Sequence, residues 1–86
     1  ARVIAQGYPH HVTQRGNRRR QVFFGDEDYD KYLALLAEWC SQNEEDVWAY
    51  CLMPNHVHLM VVPHSNEGPA KAIGETHRRY TRFINF

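Results

Sequence analysis

The 86 residues (10.2 kDa) suit one domain, and 43% hydrophobic with 23% charged residues is a globular balance rather than a disordered one. No apolar run approaches the ~18–20 residues that would span a bilayer, and the first residues lack the apolar core of a signal peptide. The formal charge is zero, but its signs are segregated: residues 1–25 carry five arginines and no acid, residues 26–70 carry nine acids against Lys31, and residues 71–86 are basic again.

Two basic ends around an acidic middle can fold into one basic face, the footprint of a phosphate-rich partner, but composition alone favours the plainer reading of arginines as soluble surface residues. Cys40 and Cys51 are too few for a disulfide framework or a Cys-rich zinc module. Both lie in apolar stretches, so they are read as reduced and buried, which is consistent with a cytoplasmic protein.

In chain order, Tyr8 to Arg15 reads as a strand, with Pro9 near its start and β-branched Val12 and Thr13 inside it. Gly16-Asn17 breaks it. Arg18-Arg19-Arg20 follows as an exposed basic loop, and Val22-Phe23-Phe24 as an apolar anchor. Asp26 to Gln42 reads as a helix. Asp26 or Asp28 is its expected cap, and Tyr29, Tyr32, Leu33, Leu36 and Cys40 form one stripe widened by Leu35 and Trp39.

Asp46 to Met53 and His56 to Val62 read as two strands joined by the Pro54-Asn55 turn, hence an antiparallel hairpin. Both strands are apolar on both faces, so the sheet is either covered on both sides or carries a site on one. Pro69 opens a second helix, with Ile73, Thr76 or His77, Tyr80 and Phe83 on its apolar stripe. The order β-α-β-β-α gives an α+β, ferredoxin-like fold with an antiparallel sheet and without the last strand. The helix reaches Asn85-Phe86 with no stop signal, so a truncated chain is expected.

The sharpest chemical feature is Met53-Pro54-Asn55-His56-Val57-His58. Strand side chains alternate, so His56 and His58 project from one face, about 7 Å apart at Cα, and can lean toward one metal ion. A bare His-x-His pair is also compatible with ordinary, partly exposed strand histidines. His10 and His11 alternate, so only one of them faces the His56 side; His64 and His77 read as loop and helix-surface residues.

Three segments together resemble the His-hydrophobic-His single-strand tyrosine transposases, specifically their REP-associated group. They are Tyr8 to Arg19, Ala49 to His58, and Arg79-Tyr80-Thr81-Arg82 with Asn85. The resemblance covers essentially the whole chain. It implies cleavage of single-stranded DNA beside folded hairpins, through a tyrosine that forms a 5′-phosphotyrosine link and releases a 3′-hydroxyl. It further implies His56 and His58 as ligands of a divalent ion, Mg²⁺ or Mn²⁺. An imidazole pair suits Mn²⁺ or Zn²⁺ better than Mg²⁺.

Within that resemblance Tyr80, set among arginines, is a candidate nucleophile. The family's nucleophile, however, lies on a later helix in a Tyr-x-x-x-Asn-Pro-like stretch that follows the helix holding Tyr80, and that stretch also supplies the third metal ligand. The expectation is therefore that residues 1–86 hold two metal ligands and neither the nucleophile nor its helix. Arg15, Asn17, Arg18, Arg19, Arg20, Arg78, Arg79 and Arg82 are the expected DNA contacts. A homodimer, in which a second copy covers the incomplete sheet, is a further expectation. Two other classes stay open: a non-catalytic single-stranded nucleic-acid binder that stacks bases on Trp48 and Tyr50, and a metal-binding or regulatory domain without nucleic acid.

Overall fold

The computed structural model describes residues 7–16, 18, 20–65 and 68–85. Its elements are β1 (His10–Arg15), α1 (Asp26–Gln42), β2 (Glu45–Met53), β3 (His56–Pro63) and α2 (Ala70–Asn85). The strands form one antiparallel sheet in the order β1-β3-β2. Both β1 and β2 pair antiparallel with β3, so they run parallel to each other and α1 is the crossover between them. This is the β-α-β-β-α arrangement expected from the sequence, with β1 on an outer edge.

Alternation along β3 decides which face the helices cover. Val57, Leu59 and Val61 are buried, while His56, His58 and Met60 are only partly covered. The buried set joins Tyr32, Leu35, Leu36 and Cys40 of α1, and Ala72, Ile73 and Tyr80 of α2, in one core. Each such aliphatic side chain removed from water contributes roughly 1.5–3 kcal/mol. Both helices therefore lie on one side of the sheet, and the His56 side is open. Of the two arrangements left by the sequence, a sheet covered on both sides is not the one seen among the described residues: the helices cover one face only.

The first helix departs from its expected capping. Gly25 occupies the N-cap without a side-chain hydrogen bond. Asp28 instead reaches back past the cap, its Oδ2 accepting from the amide of Phe24, the residue before Gly25, at 2.7 Å. Cys40 is buried as expected, but Cys51 is exposed. The reason is register: Cys51 lies opposite His58, on the uncovered face. His77 is also not a plain surface residue. It is half-buried, and its Nε2 shares a 2.6 Å hydrogen bond with the Tyr32 hydroxyl. Burial accordingly depresses its pKa to about 4.

The loop between β1 and α1 is clamped to the β2–β3 turn. The Gly16 amide donates to the Asn55 carbonyl at 2.9 Å, and the Val22 and Phe23 amides both donate to the Pro54 carbonyl. The chain closes so tightly that a Cβ on Gly16 would lie 2.3 Å from the Arg20 carbonyl oxygen and 2.9 Å from a Val22 methyl. Only glycine fits there. Phe23, 2% exposed, pins the loop's end by packing against Tyr29, Tyr32 and Tyr80.

Candidate metal and nucleic-acid site

The open face is assembled by register. Thr13 lies opposite His58 and Arg15 opposite His56 on one side; Cys51 and Met53 flank the same histidines from β2. The His56 and His58 rings meet at 85° with centroids 4.9 Å apart. Period-two alternation thus places both imidazoles as the sequence predicts. The His56 imidazole is held below its ordinary value, first by desolvation, then by the Arg15 guanidinium and His58. A neutral ring keeps a lone pair free for a cation.

Hydrogen bonds occupy the Nδ1 atom of each ring. His56 Nδ1 lies 2.7 Å from Asn55 Oδ1, an acceptor, so Nδ1 carries the proton and Nε2 the lone pair. His58 Nδ1 lies 3.2 Å from Thr13 Oγ1 and 3.2 Å from His11 Nε2. The donor set is the His56 Nε2 and, where the His58 proton sits on Nδ1, the His58 Nε2, a pair that fits a divalent ion completing its shell with water or substrate oxygen. Among the described residues no group of three His, Cys, Asp or Glu side chains is disposed around one ion.

Arg15 stands beside this pair, and the clamped loop that follows it presents Arg18 and Arg20 to solvent. Arg18 adopts a left-handed backbone (φ 56°). Asn17 and Arg19 lie outside the described residues. The arginines of α2 belong to a different surface. Arg78 and Arg79 both pair with Glu75, and Arg79 also sits over the Trp39 ring of α1 at 4.1 Å. Hydrogen bonds from Arg79 and then Arg78 hold the Glu75 carboxyl below its usual range. Arg82 is exposed in the last turn of α2. The basic residues thus divide between the loop edge of the histidine face and the helical layer, rather than forming a single face.

Tyr80 points into the core. It is 5% exposed, and its hydroxyl donates to the Val22 carbonyl at 2.6 Å. Burial, then the nearby Asp28 and Tyr29, raise its pKa. The ring lines a cleft of about 390 Å³ between the loop and α2, on the helical side of the sheet. Tyr29 and Tyr32 pack in the same core, and Tyr50 lies opposite the buried Leu59. Tyr8 precedes β1 at the far end of β3 from His56, where the Gly7 amide bonds the Pro63 carbonyl. None of the five tyrosines faces the histidine pair.

Trp48 and Tyr50 do not form a simple stacking face. A bulge between Val47 and Ala49 leaves Trp48 unpaired, so alternation no longer ties the two aromatics together, although both are exposed. Sequence reasoning missed His11, Thr13, Asn55 and Cys51 as neighbours of the site. The alternation of His10 and His11 was the one available signal; the strand pairing selects His11.

The family model described as "Transposase IS200 like" matches residues 5–86. Among solved structures, a candidate transposase from Deinococcus radiodurans R1 is 26% identical with a TM-score of 0.75, matching 98% of this chain and 67% of its own. A REP-associated tyrosine transposase bound to a REP hairpin is 17% identical with a TM-score of 0.76, matching 100% of this chain and 52% of its own. The second likeness is one of fold. A comparison with curated proteins gives no match. Among the described residues no helix is long and apolar enough to cross a membrane.

Proposed function

Because the chain belongs to the IS200-like transposase family, matched over residues 5–86, we propose that it binds single-stranded DNA folded into a hairpin and carries the metal-holding half of a strand-cleaving site. The observation that carries this reading is the pair His56 and His58 on an open sheet face, edged by Arg15 and a clamped basic loop. The solved relative that holds a REP hairpin supports the same class of partner.

His56 and His58 would hold a divalent ion, Mn²⁺ or Mg²⁺, through their Nε2 atoms. When bound, the ion supplies charge stabilisation for the scissile phosphate oxygens. Arg15, Arg18 and Arg20 hold the DNA backbone beside it, with Asn17 and Arg19 belonging to the same loop. Arg78, Arg79 and Arg82 serve phosphates only where DNA reaches the helical layer. In the cleavage itself a phenol oxygen bonds to phosphorus, the bond from phosphorus to the 3′-oxygen breaks, and the 3′-oxygen leaves with a proton. The phosphodiester is conserved in the phosphotyrosine link, so no ATP is consumed.

Tyr80 does not supply that oxygen in this reading, because the sheet lies between its hydroxyl and the histidines. The nucleophile comes from outside these residues. The chain spans 67% and 52% of the two solved chains it resembles. The outer edge of β1 has no partner strand among the described residues, and a groove of about 670 Å³ separates it from α2. An added strand, from the same protein or from a second copy in a homodimer, would satisfy that edge.

The test is incubation with a single-stranded hairpin oligonucleotide and Mn²⁺, read by binding and by a denaturing gel. The 86-residue chain is expected to bind the hairpin and to form no covalent adduct. Failure to bind single-stranded hairpin DNA at low salt refutes the proposal.

A further inference from the structure

His11 and His58 lie on neighbouring strands with their ring planes parallel to within 1°. Their centroids are 5.3 Å apart, yet His11 Nε2 and His58 Nδ1 are separated by only 3.2 Å. The difference approaches two ring radii, so the rings meet largely edge to edge and a ring N–H points from one nitrogen toward the other. This is hydrogen-bond geometry rather than face-to-face stacking. Thr13 Oγ1 approaches the same His58 nitrogen at 3.2 Å.

Two proton arrangements satisfy that contact. In one, His58 carries its proton on Nδ1 and donates to His11 Nε2, leaving His58 Nε2 as a lone pair. In the other, His11 donates, and His58 must carry its proton on Nε2, which removes the lone pair from the side where His56 offers its own. His56 is already fixed in the Nδ1–H form by Asn55 Oδ1. Only the first arrangement gives the two histidines matching Nε2 lone pairs.

We propose that His11 is a positioning residue: by accepting the Nδ1 proton of His58 it fixes that ring's tautomer and plane, and so prepares His58 Nε2 as a metal ligand. Thr13 Oγ1 is a second acceptor at the same nitrogen and holds the ring when the bond to His11 opens. Asn55 does for His56 what His11 does for His58. Outer partners of this kind fix the tautomer of ligating histidines, and their loss typically weakens metal binding by roughly 10–100-fold. The inference rests on the metal-site reading above for its purpose, though not for its first measurement.

That measurement is the nitrogen NMR spectrum of the metal-free chain at neutral pH, in which the two neutral tautomers of an imidazole are distinguishable. His58 is expected in the Nδ1–H form in the wild type. His11→Phe, at an exposed position, is expected to keep the fold and to move His58 toward the Nε2–H form that free imidazoles favour. His11→Gln, whose amide oxygen accepts a hydrogen bond, is expected to restore Nδ1–H. An Nε2–H form in the wild type, or a tautomer unmoved by both His11→Phe and the double change with Thr13→Val, overturns the proposal.

Mn²⁺ titration by calorimetry supplies the second readout. His11→Phe is expected to weaken binding about tenfold or more, with recovery in His11→Gln. Affinity equal to wild type in both His11→Phe and the double change with Thr13→Val also overturns the proposal. Mn²⁺ binding that persists unchanged when both His56 and His58 are replaced by Ala would instead refute the metal-site reading and leave the tautomer result standing.

Discussion

Replacing Tyr80 by Phe separates a core tyrosine from a catalytic one. The change deletes one oxygen and leaves the ring in its aromatic packing with Phe23, Tyr32 and Phe83. What disappears is a 2.6 Å hydrogen bond from the hydroxyl to the Val22 carbonyl. Such a bond contributes about 0.5–1.5 kcal/mol net, and a buried acceptor left unpaired costs about 1–3 kcal/mol. Val22 is half-buried, so water partly replaces the donor and the lower figures apply.

A loss of about 1 kcal/mol is expected, which lowers Tm by ~4–8 °C for a domain of this size. Thermal unfolding followed by circular dichroism measures it. Hairpin binding is expected to stay at the wild-type level, since the hydroxyl lies on the helical side of the sheet. A covalent protein–DNA adduct that forms with the wild-type chain and vanishes in Tyr80→Phe would refute the reasoning. So would a Tyr80→Phe chain of unchanged stability, because the hydroxyl would then have no structural partner.

Gly16→Ala forces a Cβ to within 2.3 Å of the Arg20 carbonyl oxygen, so the loop must open; a loss of about 1–3 kcal/mol in urea unfolding and weaker hairpin binding are expected, and unchanged values in both would show that the clamp is not rigid. In the double variant Arg18→Ala, Arg20→Ala, the slope of log affinity against log salt should flatten by ~0.7 for each phosphate the two guanidinium groups neutralise; an unaltered slope removes the loop from the DNA interface. The third concerns His77, whose folded-state pKa of about 4 lies below its ordinary value of 6.5. Between those values the unfolded chain binds the extra proton, so stability is full above pH 6.5 and falls as pH drops toward 4. The contribution amounts to up to about 3 kcal/mol by linkage. His77→Gln should flatten the pH dependence of urea unfolding across that window, and a slope identical to wild type would contradict it.

Local periodicity made much of the molecule legible from sequence. The stripe from Tyr32 to Cys40 defined α1, and Pro54-Asn55 between two apolar runs defined the hairpin. Strand alternation alone put His56 and His58 on one face, because a period of two needs no partner to specify it. Alternation does not say which face is covered, nor what stands opposite. Those followed from the sheet order β1-β3-β2 and its register, which brought Thr13, Arg15 and Cys51 beside the histidines and left Cys51 exposed where an apolar context had suggested burial.

Tyr80 and the arginines make the same point. Sequence shows a tyrosine among cations; packing gives its hydroxyl to Val22, far along the chain, and turns Arg79 onto Trp39. The division is physical. Spacing within one element fixes which side chains share a face, whereas the partner of each face depends on contacts between segments distant in sequence, and only the folded chain selects among them.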